Sequence, residues 1–216
     1  MNGRAGESAI SLSAVLLAGG GSRRMGRDKA TMKFGGQPMW GRQMDTLRDL
    51  GPAKIFVSAR SRPEWLPNDV ELLIDDVPSR GPLGGIVKAL TAMETTHLLA
   101  FAVDMPLITA EQLQQLLALA QPGCGVVPLI GDRAEPLAAL YPAETASDFE
   151  AAFAGSDFSL QSVVRKLAAA GKLKLWAVPE ADRKIYRSIN TPADMRQARF
   201  PNRSLEDFGG EDAAAP

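Results

Sequence analysis

The sequence predicts an α/β fold, a three-layer α/β/α sandwich with a mostly parallel central sheet. Three observations predict it. Short apolar runs alternate with helix-type segments along the chain. The apolar runs are continuous, the pattern of strands covered on both faces. Most helix-type segments stop at glycine or at a Gly–Pro or Pro–Gly pair.

SAVLLA (13–18) is the first strand and runs straight into glycines. KIFVSA (54–59), VELLI (70–74) and HLLAFAVD (97–104) are the next three, followed by GVVPL (125–129), PLAAL (136–140) and KLWAV (174–178). Between them, PMWGRQMDTLRDL (38–50) predicts a helix that stops at Gly51–Pro52. LGGIVKALTAME (83–94) predicts another, although its glycines weaken the signal. Thr109 caps AEQLQQLLALA (110–120), which closes at Gln121–Pro122–Gly123. SDFEAAFAG (147–155) and SLQSVVRKLAAAG (159–171) each end near glycine, and TPADMRQA (191–198) has Thr191 as cap and Pro192 at its start. One domain is expected over 11–200, with disordered ends at 1–10 and 201–216.

The 216 residues carry a net charge of −1, so no global basic excess argues for nucleic acid, and an anion site has to be local. No apolar run reaches the ~18–20 residues that span a bilayer. Cys124 is the single cysteine, which excludes an internal disulfide and a cysteine-rich zinc site and fits a cytoplasmic protein. His97 is the single histidine; it opens a strand, away from the ligand edge, and is expected to be structural. Ligands of open α/β sheets bind beyond the carboxyl ends of the strands, so the loops after 18, 59, 74 and 104 carry the information.

The first of these loops is LLAGGGSRRMGRDK (16–29). Three known glycine motifs fail in it. G-x-G-x-x-G fits Gly19 and Gly21 but meets Arg24 at the third glycine. G-x-x-x-x-G-K-[ST] fits Gly21 and Gly26 but continues Arg27–Asp28. G-x-S-x-G fits Gly20 and Ser22 but again meets Arg24. What remains is either a tight turn with a solvated basic face, or an anion nest of backbone N–H groups to which Arg24 and Lys29 add positive charge.

The segment L-A-G-G-x-S-x-R-M-G-x-D-K resembles the signature of the molybdenum cofactor guanylyltransferases, within the nucleotidyltransferase superfamily. Leu17, Ala18, Gly19, Gly20, Ser22, Arg24, Met25, Gly26, Asp28 and Lys29 occupy all its fixed positions. The resemblance spans about 13–198 and implies a Rossmann-like sheet of the nucleotidyltransferase type. It also implies nucleotide binding by Leu17, Ala18, Gly19, Gly20, Gly21, Ser22 and Lys29. FGGQPMW (34–40) resembles the family's G-x-P-L-W; the expected role of Trp40 is burial.

LLIDDVPSRGPLGGI (72–86) resembles the family's acid pair followed by G-P-L-x-G. By position Asp76 matches the nucleotide-binding acid, while Asp75 is free to cap the turn or to be solvated. Gly84 and Gly85 would allow close approach of the acceptor's flat heterocycle. In AFAVDMP (100–106), Asp104 ends a buried strand at the ligand edge, where Mg²⁺ takes one or two carboxylates plus phosphate oxygens. Capping the helix near Thr109 is its other possible role. The family's D-x-P aspartate is a Mg²⁺ ligand, which implies that role for Asp104. RSINTPADM (187–195) resembles N-x-N-T-P-E-D and points to Asn190 as an acceptor contact, with Thr191 equally explained as a helix cap. Ser58 and Ser188 stand where the family has asparagines; Ser58 falls at a nucleotide-contacting position.

The implied reaction joins GMP from GTP to the phosphate of molybdopterin and releases pyrophosphate. Arg24 would hold the β- and γ-phosphates, Lys29 would neutralise the α-phosphate and Asp104 would carry Mg²⁺, so positioning and electrostatics do the catalysis. Molybdoenzyme apo-proteins or delivery chaperones are the implied partners. The alternatives are a cytidylyltransferase or a sugar- or alcohol-phosphate nucleotidyltransferase of the same fold, and a catalytically inactive nucleotide- or cofactor-binding chaperone.

Overall fold

The structure is a computed structural model that describes residues 9–19, 29–76 and 79–198. Nearly all of both end segments, and the loop residues Gly20, Gly21, Ser22 and Arg24, lie outside the described residues.

In chain order the strands are β1 (Leu12–Leu17), β2 (Lys33–Phe34), β3 (Gln37–Pro38), β4 (Lys54–Ala59), β5 (Glu71–Ile74), β6 (His97–Ala102), β7 (Gly125–Ile130), β8 (Arg133–Ala134), β9 (Ala138–Pro142) and β10 (Leu173–Ala177). The helices are α1 (Met39–Arg48), α2 (Pro82–Ala92), α3 (Ala110–Leu119), α4 (Ala146–Ala154), α5 (Leu160–Ala169) and α6 (Pro192–Gln197). The large sheet has the order β10-β7-β9-β6-β1-β4-β5, with β8 paired to β7. β1 lies parallel to both β4 and β6, and β4 to β5. β9 runs antiparallel between β6 and β7, so the sheet is mostly parallel.

Alternation along the strands builds two separate cores. Leu12, Ala14 and Leu16 of β1 face Met39, Met44 and Leu47 of α1 and Leu113 and Leu116 of α3. Val15 and Leu17 face Leu83, Ile86 and Leu90 of α2, Phe149 of α4 and Val163 and Leu167 of α5. These are the outer layers of the sandwich, and each fully buried Leu, Ile or Phe contributes about 1.5–3 kcal/mol relative to exposure. His97, wholly buried at the amino end of β6, bonds Thr96 Oγ1 at 3.0 Å, as its expected structural role requires.

Local sequence sets the turns and helix starts around the sheet. Gly35 and Gly36, at φ 59° and 81°, turn β2 into β3 as a two-residue hairpin. Trp40 at the start of α1 is half-buried and stacks on Trp65, ring centroids 5.1 Å apart. Gly81, at φ 66°, turns the chain into α2, whose first residue is Pro82.

Candidate active site

The carboxyl ends of β1, β4, β5 and β6 enclose a cavity of about 220 Å³. Its floor is Leu17, Ala18 and Gly19 leaving β1, and Ala18 N–H extends the ladder to Ser58 O at 2.9 Å. Gly81 and Pro82 form one wall. Asp104, two residues beyond β6, forms the opposite rim with Lys29, which opens a short 3₁₀ turn.

Lys29 Nζ lies 3.4 Å from Asp104 Oδ2, with each side chain 21% exposed. The same ammonium donates to Asn190 Oδ1, on the residue before the cap of α6. Thr191 sets that segment: its Oγ1 accepts from Asp194 N–H at 3.1 Å, while Asp194 Oδ2 accepts from Asn190 and Thr191 N–H. The Thr191 hydroxyl first, and then the Asn190 N–H, hold the Asp194 carboxyl below the usual range. One cation therefore sits between a carboxylate and a carboxamide oxygen at the mouth of the cleft.

At the far side Ser58 Oγ donates to Asp75 Oδ1 at 2.6 Å. Glu135, beside the cleft residue Leu137, is pushed up to about 7, first by burial and further by the charge on Asp104; the Leu137 N–H bond and Arg133 pull the other way. A larger, more open hollow of about 530 Å³ lies near the amino ends of β4 and β5, but Arg48–Asp69 and Lys54–Glu71 already pair its charges. A site there would lack convergent free groups.

A family model for the MobA-like NTP transferase domain matches residues 14–171. The chain belongs to this family. Over 195 residues it is 33% identical to the "Probable molybdenum cofactor guanylyltransferase" of Opitutus terrae, spanning 89% of this chain and 96% of that one. A protein of the same name from Chloroflexus aggregans is 28% identical over 204 residues, 86% and 92% of the two chains. Among solved structures, molybdopterin-guanine dinucleotide biosynthesis protein A of Archaeoglobus fulgidus has a TM-score of 0.64 at 22% identity, over 86% of this chain and 95% of that one. That likeness is one of fold, and the fold is the nucleotidyltransferase type expected from the sequence.

In this MobA-like domain Leu17, Ala18, Gly19, Lys29, Ser58 and Asp104 all border one cavity. Asn190 joins them through Lys29. Asp76 stands apart: it pairs with Lys88 of α2 at 2.8 Å, half exposed, and Asp75 lines the cavity instead. Alternation explains the difference, because Asp75 continues the face of Leu73, which packs on the α2 side with Leu17. Gly84 and Gly85 are buried packing positions and leave no open face for a heterocycle. A Cβ on Gly84 would lie 3.3 Å from Phe153, and one on Gly85 would lie 2.3 Å from Ser58 Oγ. Sequence reasoning also misses Arg60, Ser79 and Leu137, whose positions carry no residue-type signal.

Proposed function

We propose that this MobA-like domain transfers GMP from GTP to the terminal phosphate of a molybdopterin-type cofactor, giving the guanine dinucleotide cofactor and pyrophosphate. The observation that carries the reading is Lys29 set against Asp104 and Asn190 at the mouth of a cleft floored by Leu17–Gly19. An acceptor phosphate oxygen attacks the α-phosphorus, the bond from that phosphorus to the bridging oxygen breaks, and pyrophosphate leaves. The attacking group is already an anion, so the chain need not supply a strong base. Its task is to hold two anions together.

Lys29 supplies a positive charge for the α-phosphate at the rim, and Arg24 of the same loop is assigned the β- and γ-phosphates on the sequence pattern. Gly19 offers its backbone N–H to the phosphates, a role the sequence pattern also assigns to Gly20 and Gly21. Asp75, held by Ser58, is the carboxylate that orients the nucleoside in place of Asp76. Asp104 and Asn190 suit Mg²⁺: both are hard oxygen donors converging on one cation, and Mg²⁺ needs only one or two protein ligands beside phosphate and water. When bound, the ion would neutralise charge on the phosphate oxygens. The cofactor product then passes to molybdoenzyme apo-proteins, directly or through a delivery chaperone, in the cytoplasm.

Pyrophosphate release is measured with molybdopterin, Mg²⁺ and each of GTP, CTP, ATP and UTP. Release with GTP alone is expected. Release with CTP alone makes the protein a cytidylyltransferase, and no release with any nucleotide refutes the catalytic reading.

A further inference from the structure

We propose that Gln43 of α1 is a positioning residue for Asp104, acting through the backbone of the turn that carries it. The proposal rests on the role of Asp104 given above, but its geometry stands by itself. Asp104 lies beyond the end of β6, where the strand ladder no longer dictates its direction.

The turn is held from several sides. Ala102 N–H donates to Leu137 O at 2.9 Å, Val103 N–H to Leu17 O at 3.2 Å, and the carbonyl of Asp104 accepts from Ile189 N–H at 2.7 Å. From the α1 side, Gln43 Nε2 donates to Ala102 O at 3.2 Å and to Met105 O at 2.8 Å. One amide thus bridges the two carbonyls that flank the Val103–Asp104 pair. Arg42 Nε donates to Pro106 O at 2.6 Å and extends the grip by one residue. Fixing the peptide groups on both sides fixes the Cα–Cβ direction of Asp104, and with it the reach of its carboxylate to Lys29.

Packing alone does not account for a glutamine at this place. Gln43 is fully buried on a helix whose Met39, Met44 and Leu47 are buried as well. Its Oε1 has no hydrogen-bond partner among the described residues. A buried polar group left unpaired is costly, and a methionine or leucine would fill the volume without one. What only the amide supplies is the pair of bonds around Asp104. Reactive groups have to be held to within ~0.5 Å by residues that do not themselves touch the substrate. Loss of such a support typically costs ~10–100-fold.

Gln43→Met keeps length and volume and removes both donors. Crystal structures of the wild type and the variant are compared, and turnover is measured in a cycle of Gln43→Met, Asp104→Ala and the double variant. In the variant crystal the 102–106 turn is expected to relax and the Lys29–Asp104 distance to exceed ~4 Å, the limit of an ion pair. kcat is expected to fall ~10–100-fold with KM for GTP within ~3-fold, the split that loss of positioning produces. In the Asp104→Ala background the same change is expected to add almost nothing, because the support has lost what it supports. An unmoved turn, or equal losses in both backgrounds, overturns the proposal. If the wild type uses CTP, the guanylyl reading fails and the cycle is run with CTP; if it uses no nucleotide, the crystal comparison alone decides. Should Gln43→Met not fold, Gln43→Glu, of the same shape and with at most one donor, takes its place in both measurements.

Discussion

Ser58 Oγ donates to Asp75 Oδ1 across 2.6 Å, which ties the end of β4 to the residue after β5. Ser58 is 3% exposed, so little of it is left for a direct ligand contact, and its role is to hold the carboxylate. Ser58→Ala removes one donor, a net loss of about 1 kcal/mol. The expected outcome is a rise of about 5-fold in KM for GTP, with kcat within about 2-fold. Steady-state kinetics checks this, and an unchanged KM would detach Ser58 from the nucleotide site.

Lys29 carries a heavier share. Its ammonium compensates the Asp104 carboxylate in the free protein and, on the reading above, the α-phosphate in the complex. Lys29→Met keeps the aliphatic stem and removes the charge. Its kcat is expected to fall about 10²–10³-fold, the scale seen when one donor to a developing charge is deleted. The folded state should persist with a loss of about 1–3 kcal/mol, between that of an exposed and that of a buried pair, because each side chain is 21% exposed. Calorimetry and turnover together test it; a large drop in Tm would assign Lys29 to the fold instead.

Much of this molecule is legible in its sequence, and what is not has identifiable causes. The strands are legible because continuous apolar runs bounded by glycine and proline have few other uses. Their direction is not, since an apolar run carries no polarity, and the reversal of β9 is visible only in the hairpin-type turn at Gly131–Asp132 that feeds β8. Asp104 is legible because charge at the end of a buried run is unusual, and Lys29 because it closes the glycine-rich motif that follows the first strand. Asp75 is missed in favour of Asp76 because two adjacent acids differ only in which way they face, and that depends on the register with Leu73 and Ser58. Gln43 is invisible because a glutamine on an amphipathic helix suggests its solvent face. Gly84 and Gly85 have the composition of a ligand-approach site and prove to be places where α2 packs against α4 and β4.

Glu135 should make stability depend on pH. Its carboxyl titrates near 4.5 when unfolded and at about 7 in the fold, chiefly because of burial. Below pH 4.5 both states hold the proton and the residue is neutral in effect. Between 4.5 and about 7 the unfolded chain releases a proton that the folded chain keeps, so stability falls as pH rises. Above that the penalty levels off on the order of 3 kcal/mol. Glu135→Gln keeps the shape and can still accept from Leu137 N–H. Melting curves should therefore coincide at about pH 4 and separate by roughly 5–10 °C at pH 8, with the variant higher. A gap that does not change with pH would exclude this origin.

Two glycine substitutions should fail in opposite ways, because the obstacles they meet differ in stiffness. A Cβ at Gly125 would lie 2.1 Å from Leu140 O and 2.9 Å from both Leu140 C and Pro142 Cδ, which are atoms of β9 held in the sheet. That backbone cannot step aside without loosening the β7–β9 pairing, so Gly125→Ala is expected to cost about 1–3 kcal/mol and lower Tm by roughly 5–10 °C. A Cβ at Gly19 would lie 2.2 Å from Asp75 Oδ2, the free end of a side chain. The carboxylate can swing away at little cost to the fold, but it then abandons Ser58 and the cleft. Gly19→Ala should melt within about 3 °C of the wild type while KM for GTP rises about 10-fold or more. If both variants lose stability alike, Gly19 is a packing glycine, and the cleft floor does not set the position of Asp75.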